Sequence, residues 1–159
     1  MKALRSFNRF TTKALEVIMT VFAATMVLVC FAQVCTRMAK SPLSWSEELA
    51  RYLAVWLTFL GAAYALRKRS LATVEILYIK LHGVSQKTLY AVISVIVFIF
   101  CYVMVRYGLN FAMKFMSQTS PAMQIPKGLV YVSAPVSGFL MFFYQLELLI
   151  DEIAGKEQE

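Results

Sequence analysis

The 159 residues are 60% hydrophobic and 16% charged, with a mean hydropathy of +0.65 and a formal charge of +7 from 16 Lys and Arg against 9 Asp and Glu. Soluble domains average about 45–50% apolar and about 25% charged residues, so this chain has too few charges to cover a soluble globule and too little polarity for a disordered one. On a soluble chain the cationic surplus would suggest nucleic acid; here it has to be read against a membrane first.

The ionisable residues leave four gaps, at 17–36, 52–66, 88–105 and 128–146. About 20 helical residues cross a hydrocarbon core of about 30 Å. The gaps therefore predict an all-α integral membrane protein, a single four-helix domain over 1–159. Its spans run over about 15–37, 49–66, 87–107 and 128–147. Four such segments leave no remaining chain to bury them in a soluble fold.

Residues 1–16, with Lys2, Arg5, Arg9 and Lys13, read as a short basic helix entering span one. The apolar stretch is longer than a signal-peptide core, so a retained signal anchor is expected. Between spans one and two, Ser41-Pro42 marks a turn. Ser44 or Ser46 is expected to cap a helix with Glu47 and Glu48 near its positive end. Trp45 and Tyr52 suit the interfacial belt. Glu47 and Glu48 lie four and three residues before Arg51, so either pair fits one helix face; alternatively the excess acid faces a basic patch on a partner.

After span two, Leu71, Val74, Leu77, Tyr78 and Leu81 recur at spacings of three and four. They predict an amphipathic helix over about 70–82 in the cytoplasmic interface, ended by Gly83. Span three is free to continue past Arg106 toward Met116. Ser120-Pro121 and Ile125-Pro126 bracket a structured outer loop. Pro135 lies inside span four and predicts a kink, because it removes a backbone donor. The acids Glu147, Asp151, Glu152, Glu157 and Glu159 read as a solvated helix end.

Orientation follows from the cations. Lys2, Arg5, Arg9, Lys13, Arg67, Lys68, Arg69, Lys80, Lys87 and Lys156 fall on the side of the termini. Arg37, Lys40, Arg51, Arg106, Lys114 and Lys127 fall on the other. Ten against six predicts both termini in the cytoplasm. Arg67, Lys68 and Arg69, which abut a span, and Arg106 and Lys114, which have no acid in their loop, are candidates for lipid headgroup contact, with a partner carboxylate the alternative for the last two.

Little in the sequence performs chemistry. Cys30, Cys35 and Cys101 lie within spans and form no CxxC pair, which argues against a thiol-redox enzyme. His82 is the only histidine and sits in a loop, with no metal-ligand cluster and no catalytic triad around it. No phosphate-binding loop is present, and no cofactor is expected. No ionisable residue sits in the middle of a span, and Gln33 is the clearest polar side chain within one. A stand-alone four-helix exporter, the alternative reading, needs an embedded carboxylate and a balanced cation distribution. What the spans offer is packing surface. Ala50, Ala54, Thr58 and Ala62 repeat every four residues beside Gly61, and span four has Ser133/Ser137 and Ala134/Gly138. Such faces let helix backbones approach closely, either within the four-helix unit or against a partner membrane protein.

The run Trp45-Ser46-Glu47-Glu48-Leu49-Ala50-Arg51-Tyr52, followed by Thr58-Phe59-Leu60-Gly61-Ala62, resembles the signature of the small membrane subunit of tripartite ATP-independent periplasmic (TRAP) transporters, the DctQ-like family. Gln118-Thr119-Ser120-Pro121-Ala122, Ile125-Pro126 and Val130-Tyr131 leading to Pro135 resemble its second block. At Ala72-Thr73-Val74-Glu75 the sequence departs from a run that in the family often carries His and Asp. The resemblance implies a non-enzymatic scaffold in the bacterial inner membrane. It would partner a large multi-span transport subunit and a periplasmic substrate-binding protein, in ion-gradient-driven, typically sodium-driven, uptake of organic acids such as sialic acid or C4-dicarboxylates. It would also place the Glu47/Glu48 segment and the 117–127 loop on the periplasmic side. Trp45, Glu47, Glu48, Arg51, Ala54, Thr58, Gly61, Ala62, Pro121, Pro126 and Pro135 are the candidate partner-contact or structural residues.

Overall fold

The computed structural model describes residues 2–39, 43–68 and 84–153, with side chains described for 6–39, 43–68 and 89–151. The amphipathic helix expected at 70–82, Ser41-Pro42, Arg69 and His82 lie outside the described residues. The chain forms α1 (Lys2–Met38), α2 (Ser44–Arg67), α3 (Val84–Lys114), a single turn α4 (Gly128–Tyr131) and α5 (Ser133–Ile153). No strand occurs among the described residues, only an isolated bridge between Thr119 and Pro126. The expected all-α membrane architecture is present: four helical segments, Ser6–Met38, Ser44–Arg67, Leu89–Lys114 and Gly128–Asp151, are long and apolar enough to cross a membrane.

Two helices are longer than a bilayer requires. With 37 residues α1 measures about 55 Å, and the basic segment before Val17 continues the span without a break. Helix α3 runs past Arg106 and Gly108 to Lys114. The fourth span is interrupted at Val132, between α4 and α5. Pro135 is the cause: it offers no N–H to the Tyr131 carbonyl four residues back, and its ring crowds that carbonyl. The ladder resumes on either side, with Val132 N bonding Gly128 O at 3.0 Å and Val136 N bonding Val132 O at 3.1 Å.

The helices pack in the order α1, α2, α5, α3, with α2 and α5 in the middle. Leu15, Leu60, Ala63, Leu66, Cys101, Met141 and Tyr144 form the buried cluster, flanked by Met19, Trp56, Val97 and Leu140. Hydroxyls and amides tie the layer together. Ser137 donates to the Phe59 carbonyl at 2.7 Å, Gln145 to Ser94 at 2.8 Å, and Tyr144 to Thr11 at 3.1 Å. These bonds satisfy polar groups that water cannot reach. The α3–α5 contact is close because Gly108 leaves room for Pro135: a Cβ there would stand 3.0 Å from the proline Cδ. The outer flanks stay apolar and open, with Val27, Leu28 and Phe31 on α1 and Ile96, Ile99 and Phe100 on α3 exposed.

Candidate functional site

The start of α2 organises the end of the molecule away from the termini. Helix α2 begins at Ser44 with Leu43 in extended conformation at the cap, and no side chain caps it. The expected serine cap is not formed. The Ser46 hydroxyl turns back and donates to the Leu43 carbonyl at 2.7 Å. Glu47 does stand in that first turn, where its charge meets the positive helix end.

The two glutamates then diverge, because successive residues point about 100° apart on a helix. Glu47 faces outward and pairs with Arg37 at the end of α1, at 3.1 Å. Glu48 is buried and reaches the loop between α3 and α4. The Ser120 hydroxyl donates to Glu48 Oε2 at 2.6 Å, Met123 N to Oε2 at 3.0 Å and Ala122 N to Oε1 at 3.2 Å. Neither glutamate forms the expected ion pair with Arg51, which is exposed. Both carboxylates have closer donors elsewhere.

The loop is built around that carboxylate. Ser120 N bonds Ile125 O at 2.9 Å, Gln124 N bonds Ser120 O at 3.2 Å, and Lys127 N bonds Gln118 O at 2.8 Å. Gln124 takes a left-handed conformation, φ 56°, which closes the turn. The Ala122 and Met123 amides, left without carbonyl partners by this geometry, are taken by Glu48. Below lie the packed rings of Phe111, Phe115 and Tyr131, with centroids 4.5 to 5.3 Å apart. Gly128 is obligatory at the junction: a Cβ would stand 2.5 Å from the Ala112 carbonyl oxygen. Pro121 and Ala122 are exposed at the loop apex and Pro126 is half-buried at its base. Trp45 is exposed beside the helix start.

The two small-residue faces serve different neighbours. On α5, Ser133, Ser137 and Gly138 are buried within the unit. On α2, Ala50 and Ala54 are half-buried, but Thr58 and Ala62 are exposed, and Thr58 bonds only its own helix, to Ala54 O at 2.8 Å. Gly61 is not required by tight packing, since a Cβ would meet Met19 Cε at an ordinary 3.6 Å.

At the end nearer the termini, Arg67, expected at lipid headgroups, is half-buried and reaches an acid of α5. It bonds Glu147 at 3.1 Å, and the side chains are 17% and 4% exposed. Asn8 donates to the same carboxylate and to Phe143 O, the latter at 3.1 Å. The solvated helix end expected there is also corrected: Glu147 and Asp151 are both buried. They share the buried face of Tyr144 and Leu148 at helical spacing, a signal present in the sequence. Lys68 lies near Glu16 at 3.9 Å and over the Tyr64 ring. Arg106 and Lys114 are exposed. Asn8 and Ser120 were not foreseen, since an isolated Asn or Ser announces no distant partner.

Cys30, Cys35 and Cys101 are free thiols. Among the described residues no group of three His, Cys, Asp or Glu is placed to hold a metal ion.

Comparison with known proteins agrees with this picture. The family described as tripartite ATP-independent periplasmic transporters, DctQ component, matches residues 26–155. A putative TRAP transporter small permease protein of Haemophilus influenzae is 30% identical over 152 residues, 94% of each chain. The sialic acid TRAP transporter small permease protein SiaQ of Vibrio cholerae is 25% identical over 149 residues, 93% of this chain and 86% of its own. The isethionate TRAP transporter permease protein DctMQ of Oleidesulfovibrio alaskensis is 28% identical over 114 residues, which are 70% of this chain and 17% of that longer one.

Proposed function

Because the chain belongs to the DctQ component family of the tripartite ATP-independent periplasmic transporters, and is thus a multi-pass transporter component rather than an enzyme, we propose that it braces a large multi-span transport subunit. In this reading the pair works with a soluble periplasmic substrate-binding protein, and uptake of an organic acid is driven by an ion gradient, sodium foremost. The chain sits in the bacterial inner membrane with both termini in the cytoplasm, and the loop held by Glu48 faces the periplasm.

The observation that carries the scaffold role is the α2 face at Thr58 and Ala62, small and left uncovered by the other described residues. In a bilayer, small residues favour close helix approach, not lipid contact. The one-chain arrangement of the isethionate relative, in which the matching segment is 17% of the whole, supports a neighbouring large subunit. The cation distribution supports the orientation. Sialic acid and C4-dicarboxylates are substrates that the names of relatives carry, and they define the class to test first.

Proteoliposomes test the reading. Substrate uptake is expected only when this chain, the large subunit and the loaded binding protein are together under an inward sodium gradient. Gradient-driven transport of the same acids by this chain alone would refute it.

A further inference from the structure

The loop end carries only two acids, Glu47 and Glu48, in segments 37–51 and 106–127, against Arg37, Lys40, Arg51, Arg106, Lys114 and Lys127. Both acids are engaged inside the chain, Glu47 by Arg37 and Glu48 by the loop. Among the described residues the cations nearest the loop have no carboxylate at ion-pair distance. Lys114 ends α3 on one side of the loop, and Lys127 precedes α4 on the other. The bonds Lys127 N to Gln118 O at 2.8 Å and Gly128 N to Phe115 O at 3.1 Å hold the two limbs together, so both cations sit at the loop base. Arg51 stands about one turn from Glu48 on α2 and is exposed, as is Lys114, while Lys127 is half-buried. Among the described residues none of the three forms an ion pair. The loop between them, residues 117–126, carries no charge, and Pro121, Ala122 and Gln124 are exposed at its apex.

We propose that Arg51, Lys114 and Lys127 form a cationic docking rim around a neutral, rigidly held apex, and that the rim receives an acidic patch on the soluble substrate-binding protein. Glu48 is the positioning residue: its three hydrogen bonds fix the apex between the cations. This rests on the reading above, in which the loop end faces the compartment of the binding protein. Complementary charge of this kind steers encounter and fixes register, and salt weakens it. Lipid phosphates would neutralise the same cations but have no use for a fixed, uncharged apex.

The experiment uses proteoliposomes of the assembled membrane subunits, with loaded binding protein titrated outside at a constant sodium gradient. Arg51→Glu, Lys114→Glu and Lys127→Glu are each expected to raise the half-saturating concentration of binding protein by roughly three- to tenfold, with the maximal rate unchanged. Adding choline chloride should raise it for the wild type and less for the variants. Glu48→Gln should raise it as well, with Glu48→Asp restoring part of the effect. Lys13→Glu, at the other end of α1, should change nothing. Co-purification with the large subunit reports that each variant is folded.

Unchanged half-saturation in the three reversed variants overturns the rim. So does a fall in maximal rate alone, the signature of a lipid role. Uptake that needs no binding protein contradicts the underlying reading, and the rim falls with it.

Discussion

The carboxylate of Glu48 accepts the hydroxyl of Ser120 at 2.6 Å across 72 residues of sequence. It joins the start of α2 to the loop between α3 and α4, and two loop amides converge on the same acid. The acid is therefore structural toward its own chain, and what it offers a partner is the shape of the loop.

Ser120→Ala removes one of three donors and Glu48→Ala removes the shared acceptor, leaving the Ala122 and Met123 amides without a partner. Both should lower the thermal unfolding midpoint in detergent, Glu48→Ala by more. Both should also open residues 117–127 to limited proteolysis. A loop that stays equally resistant in Glu48→Ala would show that the ring stack below holds it alone.

Glu147 is buried, and it is shared by the half-buried Arg67 and by Asn8. Arg67→Ala strands the buried Glu147 carboxylate and should destabilise by up to about 3–5 kcal/mol, and Glu147→Ala by less, because Arg67 keeps some exposure. Replacing both by Met should recover most of that loss, because the desolvation cost disappears with the charges. Thermal melts of the two singles and the double measure it.

Glycine positions separate by geometry. Gly128→Ala places a methyl 2.5 Å from a backbone oxygen that has little freedom to move, whereas Gly61→Ala meets only a flexible Met19 terminus at 3.6 Å. The first should cost about 1–3 kcal/mol, and the second should leave the melting temperature within a degree or two. Melts of the purified chain decide between them.

Thr58 and Ala62 are exposed on α2, so Ala62→Leu should leave the isolated chain as stable as the wild type while weakening its association with the large subunit. Ser137→Leu, by contrast, should unfold the chain, since that hydroxyl is buried against Phe59. Co-purification yield beside a melt separates the two effects.

The spans were legible because charge is excluded from hydrocarbon, and the four gaps in ionisable residues align with the four long helices. The break near Pro135 was legible because a missing N–H acts locally. The bracketed loop was visible through its prolines. Its tether was not, because Glu48 and Ser120 meet only through tertiary packing, and nothing local to α2 favoured Ser120 over Arg51 as the partner. Arg67 and Glu147 lie 80 residues apart, and each alone looks like a charge at a membrane boundary. The two small-residue faces were equally visible, yet small residues mark close approach without saying to whom. Only the packing order of the helices shows that α5 uses its face internally and that α2 leaves Thr58 and Ala62 uncovered.

The central claim, that this chain works as the bracing subunit of a larger transporter, is tested most directly by purifying it from its native membranes in mild detergent. A large multi-span membrane protein should be recovered with it in a fixed ratio, and lost in Ala62→Leu while the chain itself stays folded. Recovery of the chain alone, or only with copies of itself, would contradict it.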